Sequence, residues 1–212
     1  MPTSHPRRHF LGRAAAALAA LATGIPAVAD ATPGHLPEVD DNDAWMHSLK
    51  GKHRQFFHAM MAEETPMRMA SNFLDSYRDA FKARDGEVNA VIGIHGSALA
   101  IGFNDAAWAK YAMGKGAGVP DPVTKEPAVR NIFATGTPLG IDTLQKRGIL
   151  FLMCNTALRA KSRQVAAERG ETYETVYADL SSSRLPGVIL VPAMVVALNR
   201  AQEAGFTYVR AA

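Results

Sequence analysis

Gly148-Ile-Leu-Phe-Leu-Met-Cys-Asn-Thr-Ala-Leu-Arg159 is the stretch whose reading decides the fold. Residues 149–153 form a short continuous apolar run, the pattern of a strand buried on both faces of a parallel sheet. Asn155 and Thr156 are helix N-cap residue types. The chain from there to Arg169 reads as a helix that Gly170 stops. Cys154 therefore falls at the carboxyl end of a strand, directly before a helix N-terminus. In open α/β sheets that rim is where ligands bind. Aligned peptide dipoles and free N–H groups at such a terminus favour a thiolate over a thiol. Cys154 is the single cysteine in the chain, and two readings of it stand side by side: a small buried hydrophobe or an activated sulfur.

Working outward, the same alternation repeats on both sides. Upstream, a strand is expected around 54–59, an amphipathic helix over 67–83 with Met69, Phe73, Tyr77, Ala80 and Phe81 on one face, and a strand at 88–94. That strand ends in His95-Gly96, with Ser97 as cap of a helix over 98–113. Gly114, Gly116 and Gly118 are read as its stop, and the Gly/Pro/Thr-rich excursion to Pro138 as a long loop. A short helix over 139–147 then feeds the Cys154 strand. Downstream come a helix at 172–180, a strand at 188–191 closed by Pro192, a helix at 194–204 and a final strand at 206–210. The pattern is a three-layer α/β/α sandwich, flavodoxin-like, on a mostly parallel five-stranded sheet. No internal repeat and no second domain are evident.

The first 29 residues are set apart as an export signal. Pro6-Arg-Arg-His-Phe-Leu11 has the paired arginines of a twin-arginine signal, an Ala/Leu-rich run follows, and Ala27-Val-Ala29 offers a small-residue cleavage site. Residues 30–50 read as a leader and 51–212 as the domain. Arg7, Arg8 and Arg13 carry the whole excess of the formal +3, so the mature part has 3 − 3 = 0. That balance argues against a nucleic-acid partner, and the apolar run is too short for stable membrane insertion. A periplasmic location is expected.

His95 and Cys154 both stand where a buried strand gives way to a helix. On neighbouring strands they would reach one rim, where an imidazole can hold a thiolate or move its proton. The plainer reading of His95 is a histidine that caps its own turn. Arg130 and Asn131, in the long excursion, are candidates to hold an oxyanion, although a solvated Arg130 is the simpler expectation. His47, His53, His58, Met60, Met61, Met67 and Met69 crowd together with a copper-like ligand set, but their spacing fits no standard site and Met on a helix face usually fills core. Gly114-Lys-Gly-Ala-Gly118 lacks the strand-to-helix context and the Lys-Ser/Thr ending of a phosphate loop. No metal site and no cofactor are assigned.

Taken together, Gly51-Lys-His-Arg-Gln55, Val91-Ile-Gly-Ile-His-Gly96, Asn104-Asp-Ala-Ala-Trp-Ala-Lys-Tyr111, the run from Leu144 through Leu158, and the tail from Val191-Pro192 to Tyr208 resemble the DsrE/DsrF-like sulfur-relay family, in its exported, twin-arginine-signal branch. The resemblance implies a flavodoxin-like fold and a homo-oligomer, a trimer or hexamer. It also implies a cysteine after a central strand that carries sulfur as a persulfide, at the position of Cys154, with His95 as the histidine that follows the second strand. Ala193-Met194 stands where the branch often has Ser-Gly, which implies a bulkier pocket floor. The function expected is periplasmic sulfur handling, with Cys154 binding or relaying sulfane sulfur, His95 beside it, and Asn155, Arg130 and Asn131 touching the bound group. The partner would be a small sulfur species or a sulfur-carrier protein. The alternative is a non-catalytic binding or assembly module that uses the same rim, for a metal such as copper.

Overall fold

Five short strands assemble as one sheet: β1 (His53–Ala59), β2 (Val88–Ile94), β3 (Leu150–Cys154), β4 (Val188–Val191) and β5 (Thr207–Ala211). In the computed structural model, which describes residues 42–211, the order is β4-β3-β2-β1-β5 and every pairing is parallel. The signal expected over 1–29, and the leader as far as residue 41, lie outside the described residues.

The helices are α1 (Ala44–His47), α2 (Thr65–Phe81), α3 (Asp105–Lys110), α4 (Met113–Ala117), α5 (Ile141–Lys146), α6 (Asn155–Arg169), α7 (Tyr173–Ser182) and α8 (Met194–Glu203). A 3-10 helix, Gly96–Gly102, precedes α3. Strands β1 to β4 progress in one direction, and β5 returns to the free edge of β1. Right-handed crossovers in opposite directions place their helices on opposite faces. Accordingly Phe57, Ile92, Ile94, Phe151 and Met153 meet α2, α5, α6 and α7 in the larger core. Their period-two neighbours Phe56, Val91, Leu152, Cys154 and Val191 meet α1 and α8 in the smaller one. This is a three-layer, flavodoxin-like α/β/α fold, with its own variant of the doubly wound strand order.

Three local expectations are corrected. The helix expected over 98–113 is broken into the 3-10 helix, α3 and α4. The carbonyls left free by the break are taken by side chains: Trp108 Nε1 donates to the Ala100 carbonyl at 2.7 Å, and Asn131 Nδ2 donates to those of Ile101 and Phe103 at 2.7 and 2.6 Å. Asn104, not Ser97, is the residue whose side chain caps the following α-helix, accepting from Ala107 N. Gly114 and Gly116 lie inside α4, and only Gly118 caps it. Gly114 is needed for close approach, because a Cβ there would come within 2.1 Å of the Ala128 carbonyl oxygen. On α2 the buried stripe is Pro66, Met67 and Ala70, with Met69, Phe73 and Leu74 partly buried beside it. Phe81 at the helix end is 73% exposed, its ring against that of Tyr77 with centroids 5.3 Å apart.

Candidate functional site

The last residue of β3 is also the N-cap of α6. Cys154, not Asn155 or Thr156, takes the capping position, and its Sγ accepts the Ala157 N–H at 3.4 Å. A second backbone donor reaches the same sulfur from the start of α8, Met194 N at 3.3 Å. Thr156 Oγ1 donates to the Pro192 carbonyl at 3.1 Å and so ties the two helix starts to each other. The sulfur therefore sits between two helix N-termini, the ends that carry partial positive charge. It is closed in: Cys154 is 2% exposed and packs in the smaller core with Leu152, Val191 and Met194.

The ladder between β2 and β3 ends at Ile94 and Met153, so His95 and Cys154 follow side by side at the rim. No hydrogen bond joins them. The ring of His95 instead faces that of His58, whose centroid is 5.8 Å away. His58 is the penultimate residue of β1; its Nδ1 is 3.3 Å from the Tyr208 hydroxyl. His58 Nε2 and His95 Nδ1 are both buried and lack a hydrogen-bond partner. Burial holds the His58 pKa below the ordinary imidazole value, and the charges of His95 and Arg210 push it the same way. Burial thus favours the neutral form of His58, and each ring keeps one nitrogen without a partner.

The other candidate residues are placed elsewhere or already engaged. Asn131 is buried within its own segment: besides its two bonds to carbonyls, its Oδ1 accepts from Phe133 N at 2.9 Å and its backbone N–H donates to Asp105 at 2.8 Å. It is a structural clamp with no group left for a ligand. Arg130 beside it is exposed. Asn155 is buried, and its Oδ1 accepts from the Tyr177 hydroxyl at 2.9 Å, which secures α6 to α7. The His/Met-rich segment is dispersed: His53 packs on Tyr77 with ring centroids 4.4 Å apart, and Met67 is wholly buried in the larger core. Among the described residues no group of three or more His, Cys, Asp or Glu is placed to hold a metal.

A cavity of about 540 Å³ opens beside the rim, between the 3-10 helix, α4 and the start of α6. His95, Ser97 and Thr156 line one part of it, and Cys154 is absent from its wall. Sequence reasoning missed the His58–His95 pair. The available signal was positional, since each histidine lies at the carboxyl end of its own buried strand, on strands that prove adjacent.

No family model matches the chain, and no curated protein matches it in sequence. Among solved structures, the protein of unknown function MTH1491 from Methanobacterium thermoautotrophicum is similar at 17% identity and a TM-score of 0.42, over 74% of this chain and 98% of that one. Among the described residues no helix is long and apolar enough to cross a membrane.

Proposed function

We propose that this is an exported sulfur-handling protein in which Cys154 binds or relays sulfane sulfur as a persulfide. The observation that supports this reading best is the pair of backbone N–H groups, from Ala157 and Met194, directed at one sulfur atom. Fixed donors at two helix starts favour negative charge on that sulfur when it attacks as a thiolate and again when it departs as the leaving group. The step balances without an outside oxidant. The Cys154 thiolate attacks the sulfane sulfur of an organic persulfide or of thiosulfate, the new S–S bond forms as the donor's own S–S bond breaks, and the rest of the donor leaves as its thiolate or as sulfite. Attack by an acceptor thiolate on the outer sulfur then returns Cys154 to its starting form.

Burial sets a condition on this chemistry. A donor reaches Sγ only when a neighbour in the smaller core moves aside, and Met194, the first residue of α8 and a donor to the sulfur, is the one we expect to move. Val195 and Val196, which follow it, are 71% and 50% exposed, so that helix start offers an apolar surface to a second copy or a carrier protein. Incubation of the full chain with thiosulfate or an organic persulfide, followed by intact mass measurement, tests the reading. Wild type gains one sulfur and a Cys154→Ser variant gains none.

The second reading, a binding module at the same rim, is favoured by the two unpartnered imidazole nitrogens of His58 and His95. Two imidazole nitrogens without partners suit a soft monovalent ion such as Cu(I), which accepts few ligands. Titration with Cu(I) under anaerobic conditions, with His58→Gln and His95→Gln each abolishing uptake, distinguishes it from the first.

A further inference from the structure

We infer that the cavity between the 3-10 helix, α4 and α6 binds an amphipathic organic anion, with its acidic head on Lys161 and its apolar chain along Leu99, Phe103 and Met113. The volume, about 540 Å³, lies within the range of small-molecule sites, which are mostly apolar with a few placed polar groups. The space exists because the facing residues are small. Thr156, Ala157, Ala160, Lys161 and Gln164 lie along one side of α6, and Gly116 and Ala117 of α4 face them. From Thr156 to Gln164 that stripe runs about 12 Å, enough for an extended chain.

Charge selects the ligand. No Asp or Glu lines the cavity. Lys161 is half-buried and has no hydrogen bond or ion pair with any described residue. Its Nζ lies 3.8 Å from where a Cβ on Gly116 would stand, so the ammonium rests against a wall residue that has no side chain. Gln164 is committed outward, donating to Glu168 at 2.8 Å, and leaves Lys161 as the cation of that end. His95, Ser97 and Thr156 mark the other end, at the sheet rim. Leu99, Phe103 and Met113, each at most 5% exposed, form the floor between the ends. A carboxylate with a medium-length apolar chain matches both the charge and the length. Cys154 is not part of this wall, so the inference holds or fails separately from the sulfur chemistry.

Calorimetric titration of the full chain with octanoate, octan-1-ol and octylamine tests it, alongside the variants Lys161→Gln and Ala160→Leu. Ala160 is exposed, so leucine there fills the groove without disturbing the core, and circular dichroism checks that both variants fold. Wild type is expected to bind octanoate at least about fivefold more tightly than octan-1-ol, the scale of one partly screened ion pair, and not to bind octylamine. Lys161→Gln removes the preference for octanoate while octan-1-ol binds as before, and Ala160→Leu loses both. Absence of octanoate binding to wild type, equal binding of octanoate and octan-1-ol, or octanoate binding unchanged in Ala160→Leu would overturn the inference.

Discussion

Met194 donates its backbone N–H to the sulfur of Cys154 at 3.3 Å, so the first residue of α8 and the last residue of β3 are joined through a thiol. The Met194 side chain continues over β2, where its Sδ comes within 2.6 Å of the place a Cβ on Gly93 would occupy. One methionine thus contributes a donor to the sulfur and packs over the neighbouring strand.

Met194→Ala keeps the N–H and removes that packing. Thiol labelling of the folded protein by an aromatic disulfide is expected to accelerate at least tenfold, with a stability loss of about 2–4 kcal/mol. Met153→Ala, on the opposite face of the sheet, should cost a similar amount of stability without accelerating labelling. Equal acceleration in both variants would trace the effect to global unfolding instead.

Gly93 has no room for a side chain. A Cβ would lie 2.5 Å from the Phe56 ring and 2.6 Å from Met194 Sδ. Gly93→Ala is expected to destabilise the fold by about 1–3 kcal/mol, read as a shift of the urea midpoint. An unchanged midpoint would show that α8 repacks freely.

His58 carries a pH signature. Burial lowers its folded pKa, followed by repulsion from His95 and Arg210. The unfolded chain therefore binds a proton more readily than the folded one, and stability rises with pH over that window. As pH falls below the ordinary imidazole value of about 6.5, the folded state should lose stability progressively until the lowered pKa is passed. His58→Gln should flatten the dependence in that window, measured as urea midpoints against pH. A slope that persists in the variant would place its origin elsewhere.

Asn131 and its neighbour Arg130 should separate cleanly. Asn131→Ala leaves the Ile101 and Phe103 carbonyls without their buried donor and is expected to cost about 3 kcal/mol. Arg130→Ala, at an exposed site, should stay within about 0.5 kcal/mol. Sulfur uptake per folded molecule should be the same in both. A selective loss of uptake in Arg130→Ala would restore that arginine as a contact to the bound group.

The central sheet was legible because β2, β3 and β4 are short, largely apolar runs between turn residues, and β2 and β4 fall where the pattern puts them. The region after β2 was not. Residues 98–113 have helical periodicity, yet Trp108 and Asn131 satisfy the carbonyls of a 3-10 turn from a distance in sequence that no local pattern encodes. The site divides in the same way. Cys154 at the end of β3 follows from local sequence, but its second donor arrives from residue 194. The partner of His95 is His58, and that pairing depends on β1 and β2 being adjacent and in register.

The most direct test of the central claim is the intact mass of the protein after exposure to thiosulfate or an organic persulfide, before and after a reducing wash. A single added sulfur, mapped to residue 154, removed by dithiothreitol and absent from Cys154→Ser, is the predicted result. Sulfur gained equally by Cys154→Ser, or gained by neither the wild type nor Met194→Ala, would contradict it.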